Sequence, residues 1–317
     1  MQLQLPIHKR LEHAERILLA GAGGGFDVFA GLPLYFQLKE AGKDVHLANL
    51  SFTALNDTEA ERLGPALVKV DADTDRGRAS YFPELHLAQW FREDQNSEVT
   101  IYCFDHTGVA PIVNAYADLV DLLGVDTILL VDGGTDSLMR GDEFGLATAE
   151  EDVASIIAAA HAPVERKALC SIGFGVDSYH GICHYQWLNR VADHTRDGGF
   201  LGAWSLVDGM PGVDEFREAL AFANNLNPRF KSVVCNCIAS ALDGEYGDFH
   251  ATQRTAGSTL WINPLMPLYW CFDLDAVYRN LLYAKEVENT HTIGETNVAI
   301  GRYRSGITPA EFQEMPG

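Results

Sequence analysis

Short, wholly apolar runs alternate with helix-like segments along most of this chain, and that alternation limits the folds open to it. Ile17 to Ala20 and Ile128 to Val131 are too short for helices and carry no polar face, so they read as strands buried on both sides. Val45 to Leu50, Val99 to Phe104, Ala168 to Gly173, Phe200 to Leu206 and Ser232 to Ile238 read as further strands. Between them, Asp27 to Glu40, Ile112 to Leu123, Glu150 to Ala160, Ile182 to Ala192 and Val213 to Asn224 carry helical patterning, with Pro33 marking a kink or late start in the first. Such alternation predicts an α/β fold: a Rossmann-like parallel sheet flanked by helices in three layers. The polar stretch 55–95 reads as an insertion or flap. Residues 257–317 read as an aromatic and helical extension packing on the same domain, which would span 1–317.

In such a sheet, ligands bind beyond the carboxyl ends of the strands. The richest loop there follows Val131: Asp132, Gly133, Gly134, Thr135, Asp136, Arg140, Asp142 and Glu143. Four carboxylates and an arginine beside a Gly-Gly pair point to a ligand site. A second loop, Gly21, Gly23, Gly24, Gly25 and Asp27, occupies the place of a dinucleotide phosphate loop. Phe26 breaks the G-x-G-x-x-G spacing, and Ala48-Asn49-Leu50-Ser51 offers no ribose-binding acid, which argues against NAD(P). The glycines can still present amides to an anion, while Asp27 can cap a helix, hold a divalent metal or bind a hydroxyl-rich ligand.

Asp105, Thr107 and Gly108 follow another strand and open on the same rim. After the strand ending at Gly173, a helix begun near Ser178 would set His180 and His184 on one face, able with Asp177 to hold Zn²⁺ or Fe²⁺ or to move protons. If Gly247 to Thr255 is extended, Asp248, His250, Thr252 and Arg254 share a face, giving a base oriented by Asp248 and an anion clamp. No G-x-S-x-G elbow, P-loop lysine motif or C-x-x-C pair is present.

A net charge of −21 disfavours nucleic acid and anionic membranes as partners. The polar amino terminus lacks a secretory apolar region, and six cysteines without a paired framework read as buried reduced thiols, so a cytoplasmic location is expected. The aromatic segment around Trp261, Tyr269, Trp270 and Phe272 fits either core or a homo-oligomer contact.

Taken together, Gly21 to Val28, Val131 to Glu143, Gly173 to Asp177 with His180-Gly181, Gly247 to His250 and Trp261 to Met266 with Tyr269-Trp270 resemble the family called domain of unknown function 1152. The resemblance runs through nearly the whole chain in order. It implies a Rossmann-like α/β protein and carries no activity with it. The site residues themselves point to a hydrolase or group transferase acting on a small polar metabolite such as a nucleotide, sugar or phosphorylated compound. Asp132, Asp136, His180, His184 and His250 are its candidate catalytic groups. A non-catalytic binding or sensing protein and a structural assembly subunit are the alternatives.

Overall fold

A computed structural model describes residues 4–316. The chain opens with α1 (Pro6–Glu12) and β1 (Arg16–Gly21), then bends through α2 (Asp27–Ala30) into α3 (Leu32–Glu40) and β2 (Asp44–Ser51). Pro33 ends the first helical segment and sits in the first turn of α3, where its missing N–H leaves nothing unpaired. A hairpin follows, β3 (Glu61–Gly64) and β4 (Leu67–Val70), and then α4 (Pro83–Glu93), β5 (Ile101–Asp105), α5 (Val109–Leu123) and β6 (Thr127–Gly133). Next come α6 (Ala149–His161), β7 (Arg166–Ile172), α7 (His184–Arg196), β8 (Phe200–Ser205), α8 (Val213–Leu226) and α9 (Val233–Leu242). The last elements are the short pair β9 (Gly247–Asp248) and β10 (Trp261–Ile262), then β11 (Leu268–Asp273), α10 (Leu274–Asn280), α11 (Ala284–Val287) and α12 (Ile293–Ser305).

Nine strands form one sheet in the order β3-β4-β5-β2-β1-β6-β7-β11-β8. Its centre, β5-β2-β1-β6-β7, is parallel; the β3–β4 hairpin and β11 join antiparallel. The strand period of two divides the core. Ile17, Leu19, Leu47, Leu129 and Val131 face a layer containing α3, α4 and α8, whereas Leu18, Ala20, Leu50, Ile128 and Leu130 face α5 and α6. Amphipathic α5 shows how the second layer is made: Ile112, Ala115, Tyr116, Leu119 and Val120 are buried at helical spacing, and Gly124 ends the helix at φ +61°. From β1 the chain builds outward through β2 and β5, then returns to the other side of β1 with β6. The loops leaving β1 and β6 therefore diverge, opening a crevice at this switch point.

Several expectations are corrected. Ser232 to Ile238 is the start of a helix, with Ser232 Oγ accepting the Cys235 N–H at 3.0 Å as its cap. An apolar run of that length is ambiguous, and here Val233, Cys237 and Ile238 are buried at helical spacing. Residues 55–95 are built into the sheet edge rather than lying beside it, for β4 pairs with β5 and α4 buries Leu87, Trp90 and Phe91. The carboxyl-terminal segment supplies β11 to the sheet as well as helices. That insertion sets Cys271 opposite Cys170, and the two form a disulfide across a Cα separation of 4.2 Å; Cys103, Cys183, Cys235 and Cys237 are free and buried. No helix is long and apolar enough to cross a membrane among the described residues.

Candidate metal centre

At the crevice, Ala22 N–H donates to Val131 O at 2.8 Å, tying the end of β1 to β6. The chain then turns through Gly24 and Gly25, whose φ of +98° and +62° suit glycine. Asp27 folds back so that its Oδ2 accepts the Gly23 N–H at 2.7 Å. Gly133 makes room on the other side: a Cβ there would stand 2.7 Å from Asp27 Oδ1. The expected anion cradle is thus occupied by the protein's own carboxylate, and at least one loop amide is spent on it.

Four more aspartates and a glutamate converge on the same space. Asp132 ends β6 and accepts the hydroxyl of Ser137, which also contacts Ser171 Oγ at 3.1 Å. Asp136 Oδ2 accepts the N–H and hydroxyl of Thr148 at 3.0 and 2.8 Å. Asp177 Oδ2 accepts the N–H and hydroxyl of Thr135 at 2.6 and 3.0 Å. Asp152 comes from the first turns of α6, only 2% exposed, and its Oδ1 has no hydrogen-bond partner. Oxygens of Asp27, Asp132 and Asp152 lie within 4.8 Å of one another. Together with Glu151 these residues line a cavity of about 420 Å³, whose only basic side chains among the described residues are Arg254 and His180.

Burial is the main force on these acids, and their mutual repulsion adds to it. Asp27, Asp132, Asp152 and Asp177 are held well above the usual carboxylate range, first by burial and then by the charge of neighbouring acids, with Asp136 a contributor to each. Asp136 itself is raised by burial, against the hydrogen bonds from Thr148. Glu151 is pushed to about 8 by burial and by Glu150 and Asp136. His180 is held below its ordinary value by burial, against the pull of Asp136.

The structure gathers Gly23, Gly24, Gly25, Asp27, Asp132, Gly133, Asp136, Asp177, His180 and Arg254 around this one cavity. It places Gly21, Gly134 and Thr135 just behind it: a Cβ on Gly21 would overlap Asn49 Oδ1, and one on Gly134 would meet Asp132, Asp136 and Asp177 oxygens at 3.0 to 3.2 Å. The remaining candidates serve other ends. Arg140 and Asp142 form a bidentate pair with each other, at 2.8 and 2.6 Å, while Glu143 takes the N–H groups of Arg140 and Gly141. Asp105 is claimed by Arg62 at 2.6 Å. Thr107 donates to His291 O at 2.8 Å, and Gly108 lies against the backbone of Thr290 and Thr292, so that loop docks the carboxyl-terminal segment.

His180 and His184 do not share a helical face. His180 closes a 3₁₀ turn (Val176–His180), Gly181 at φ +92° interrupts the chain, and His184 opens α7 against Phe174 and Trp261. The expected Asp177, His180 and His184 metal set is therefore not assembled. Gly247 to Thr255 is extended only over Gly247–Asp248 before it turns. His250 does pair with Asp248, Nε2 to Oδ1 at 3.1 Å, but away from the cavity; only Arg254 of that row reaches it. Sequence reading missed Asp152, Glu151 and the ring side chains Phe52, Tyr81, Tyr179 and Phe230. Asp152 had a signal: it falls in the apolar stripe of α6 with Ala149, Val153 and Ile156, where an acid is out of place.

The family described as protein of unknown function (DUF1152) matches residues 18–308, nearly the whole chain, and the chain belongs to that family. No curated protein matches it.

Proposed function

We propose that this member of the family is a divalent-metal-dependent hydrolase or group transferase acting on a small anionic metabolite held in the crevice between β1 and β6. The observation that carries the reading is Asp152 Oδ1, buried, unpartnered and facing the oxygens of Asp27 and Asp132. Ionised carboxylates removed from water cost several kcal/mol each unless a counter-charge meets them. Among the described residues lining the cavity, Arg254 is the one side chain that carries positive charge at pH 7, too little for five aspartates. A divalent cation meets the need: hard cations take carboxylate oxygens at about 2.0–2.6 Å, and neighbouring oxygens around Mg²⁺ are about 3 Å apart. Asp27, Asp132 and Asp152, whose oxygens lie within 4.8 Å of one another, would hold it.

A metal bound here would polarise a phosphoryl or carbonyl oxygen and lower the pKa of a water molecule. The chain's own groups divide the proton work around it. His180, kept neutral at pH 7 by its partial burial, can accept a proton at a ring nitrogen, and Glu151, protonated at that pH, can donate one. Arg254, which lines the same cavity, offers positive charge to an anionic substrate, with Nη1 fixed on Lys231 O at 3.0 Å.

Calorimetric titration of the purified protein with Mg²⁺ and Mn²⁺ tests the reading. Binding is expected in the wild type, with a loss of at least tenfold in affinity for Asp132→Asn and Asp152→Asn. Failure of every divalent metal to bind would refute it. Metal binding with no turnover across a panel of phosphate esters and acyl compounds would move the protein to the sensing class.

A further inference from the structure

The same cavity is also lined by aromatic rings, which the metal reading leaves unexplained. Phe52 directly follows β2 and lies across the glycine loop: a Cβ on Gly24 would come within 2.5 Å of its ring. Tyr81 stands beside the same loop, and the point where Gly25 would carry a side chain is 3.0 Å from Tyr81 Oη and 3.3 Å from the Phe52 ring. Phe230 backs Tyr81 edge-on, with centroids 5.7 Å apart at 71°. Phe52 and Phe230 remain 38% and 41% exposed although both line the cavity. An isolated exposed ring needs no explanation, whereas several rings walling one polar cavity mark a ligand-contacting surface.

Two different chemistries thus meet in one space. The acidic floor repels any anion until a metal is bound, and then it holds an anionic group. The rings offer flat, apolar contact to a neighbouring part of the same ligand. A bare sugar phosphate would leave them wet, and an organic cation drawn to the acids would meet Arg254. From this juxtaposition we infer that the substrate is a nucleotide, its base resting on Phe52, Tyr81 and Phe230 and its phosphate directed at the metal and Arg254. The assignment rests on the metal-dependent reading above and deepens it. The assignment does not rest on a ribose-binding acid: near the end of β2, Asn49 is buried and donates to Gly25 O at 2.9 Å and Glu84 Oε1 at 2.8 Å.

Calorimetry of the Mg²⁺-loaded protein with AMP, GMP, CMP, UMP, ribose 5-phosphate and inorganic phosphate tests the assignment. At least one nucleotide is expected to bind about tenfold or more tighter than ribose 5-phosphate, since stacking a base on aromatic side chains is worth that much. Phe52→Ala and Phe230→Ala are expected to shrink that advantage several-fold while leaving Mg²⁺ affinity unchanged. Phe52→Leu, which keeps apolar bulk over the glycine loop, is expected to shrink it as well. Equal affinities for nucleotides and ribose 5-phosphate, no binding by any of them, or an advantage that survives all three substitutions would overturn the inference. Each of those results is separable from loss of the metal reading, which appears as absent Mg²⁺ binding in the first titration.

Discussion

Beneath the glycine loop, Glu84 is a buried carboxyl whose ionisation can be read as stability. Its Oε1 accepts Asn49 Nδ2 at 2.8 Å, and the same amide holds Gly25 O. Burial raises its pKa from an ordinary 4.5 to about 7, against hydrogen bonds from Asn49, Ser51 and Thr53. Because the folded value lies above the unfolded one, the native state keeps a proton over a range in which the unfolded chain has lost it. This carboxyl's contribution therefore falls as pH rises from about 4.5 to about 7 and is flat beyond. At about 1.36 kcal/mol per pH unit of displacement, full ionisation of the native state costs about 3 kcal/mol, of which about 2.5 kcal/mol appears between pH 5 and pH 8. Glu84→Gln keeps the shape and an acceptor oxygen but cannot ionise. Urea unfolding of both proteins at pH 5 and pH 8, with chelator present, should show the variant gaining about 2.5 kcal/mol on the wild type between the two. The subtraction removes the titration of the aspartate cluster, which both proteins share. A stability difference that is the same at both pH values would refute the argument and make the buried Glu84 ionised throughout.

Two further perturbations separate the forces described above. In chelator, Asp152→Asn should raise the melting temperature at pH 8, because it removes an acid whose pKa burial and then the neighbouring carboxylates push up, while the stabilisation that Mg²⁺ gives the wild type should vanish; a variant less stable than wild type without metal would contradict that cost. Cys170 and Cys271 close a loop of 101 residues, so Cys271→Ser should cost about 2–5 kcal/mol in denaturant unfolding, and the intact link should appear as a mass two hydrogens lower than that of the reduced chain. Two free thiols at those positions in protein purified without reductant would remove the link.

The central strands were legible because their physics is local. Ile128 to Val131 is buried on both faces, and only a strand in a covered parallel sheet needs that pattern. The crevice was legible by the same route, since Asp27, Asp132 and Asp136 follow such strands. What could not be read depended on partners distant in sequence. The run Val233 to Ile238 has strand-like residues, and its capping serine and the packing of Val233 and Cys237 decide for helix. His180 and His184 are four apart, but Gly181 in a left-handed conformation divides them. Arg140, Asp142 and Asp105 looked available to a ligand only because their partners, each other and Arg62, could not be seen. Asp152 was readable in principle: an acid on the buried stripe of α6 calls for a reason.

The place of β11 also governs the order in which this molecule can be made. β8, residues 200–205, has β11, residues 268–273, as its only neighbour in the sheet among the described residues. During synthesis from the amino terminus, β5, β2, β1, β6 and β7 can pair as they emerge, while β7 keeps one open edge and β8 has nothing to dock on. More than sixty residues must be translated before that edge is filled, counting from the end of β8 to the start of β11. Until then the nascent sheet exposes the unpaired backbone of a hydrophobic strand, the kind of surface that recruits chaperones or other chains. A ribosome stalled between residues 206 and 267 would therefore present β1 and β6 with their aspartates in a sheet that still lacks β11, before the chain that completes the cavity wall has joined them.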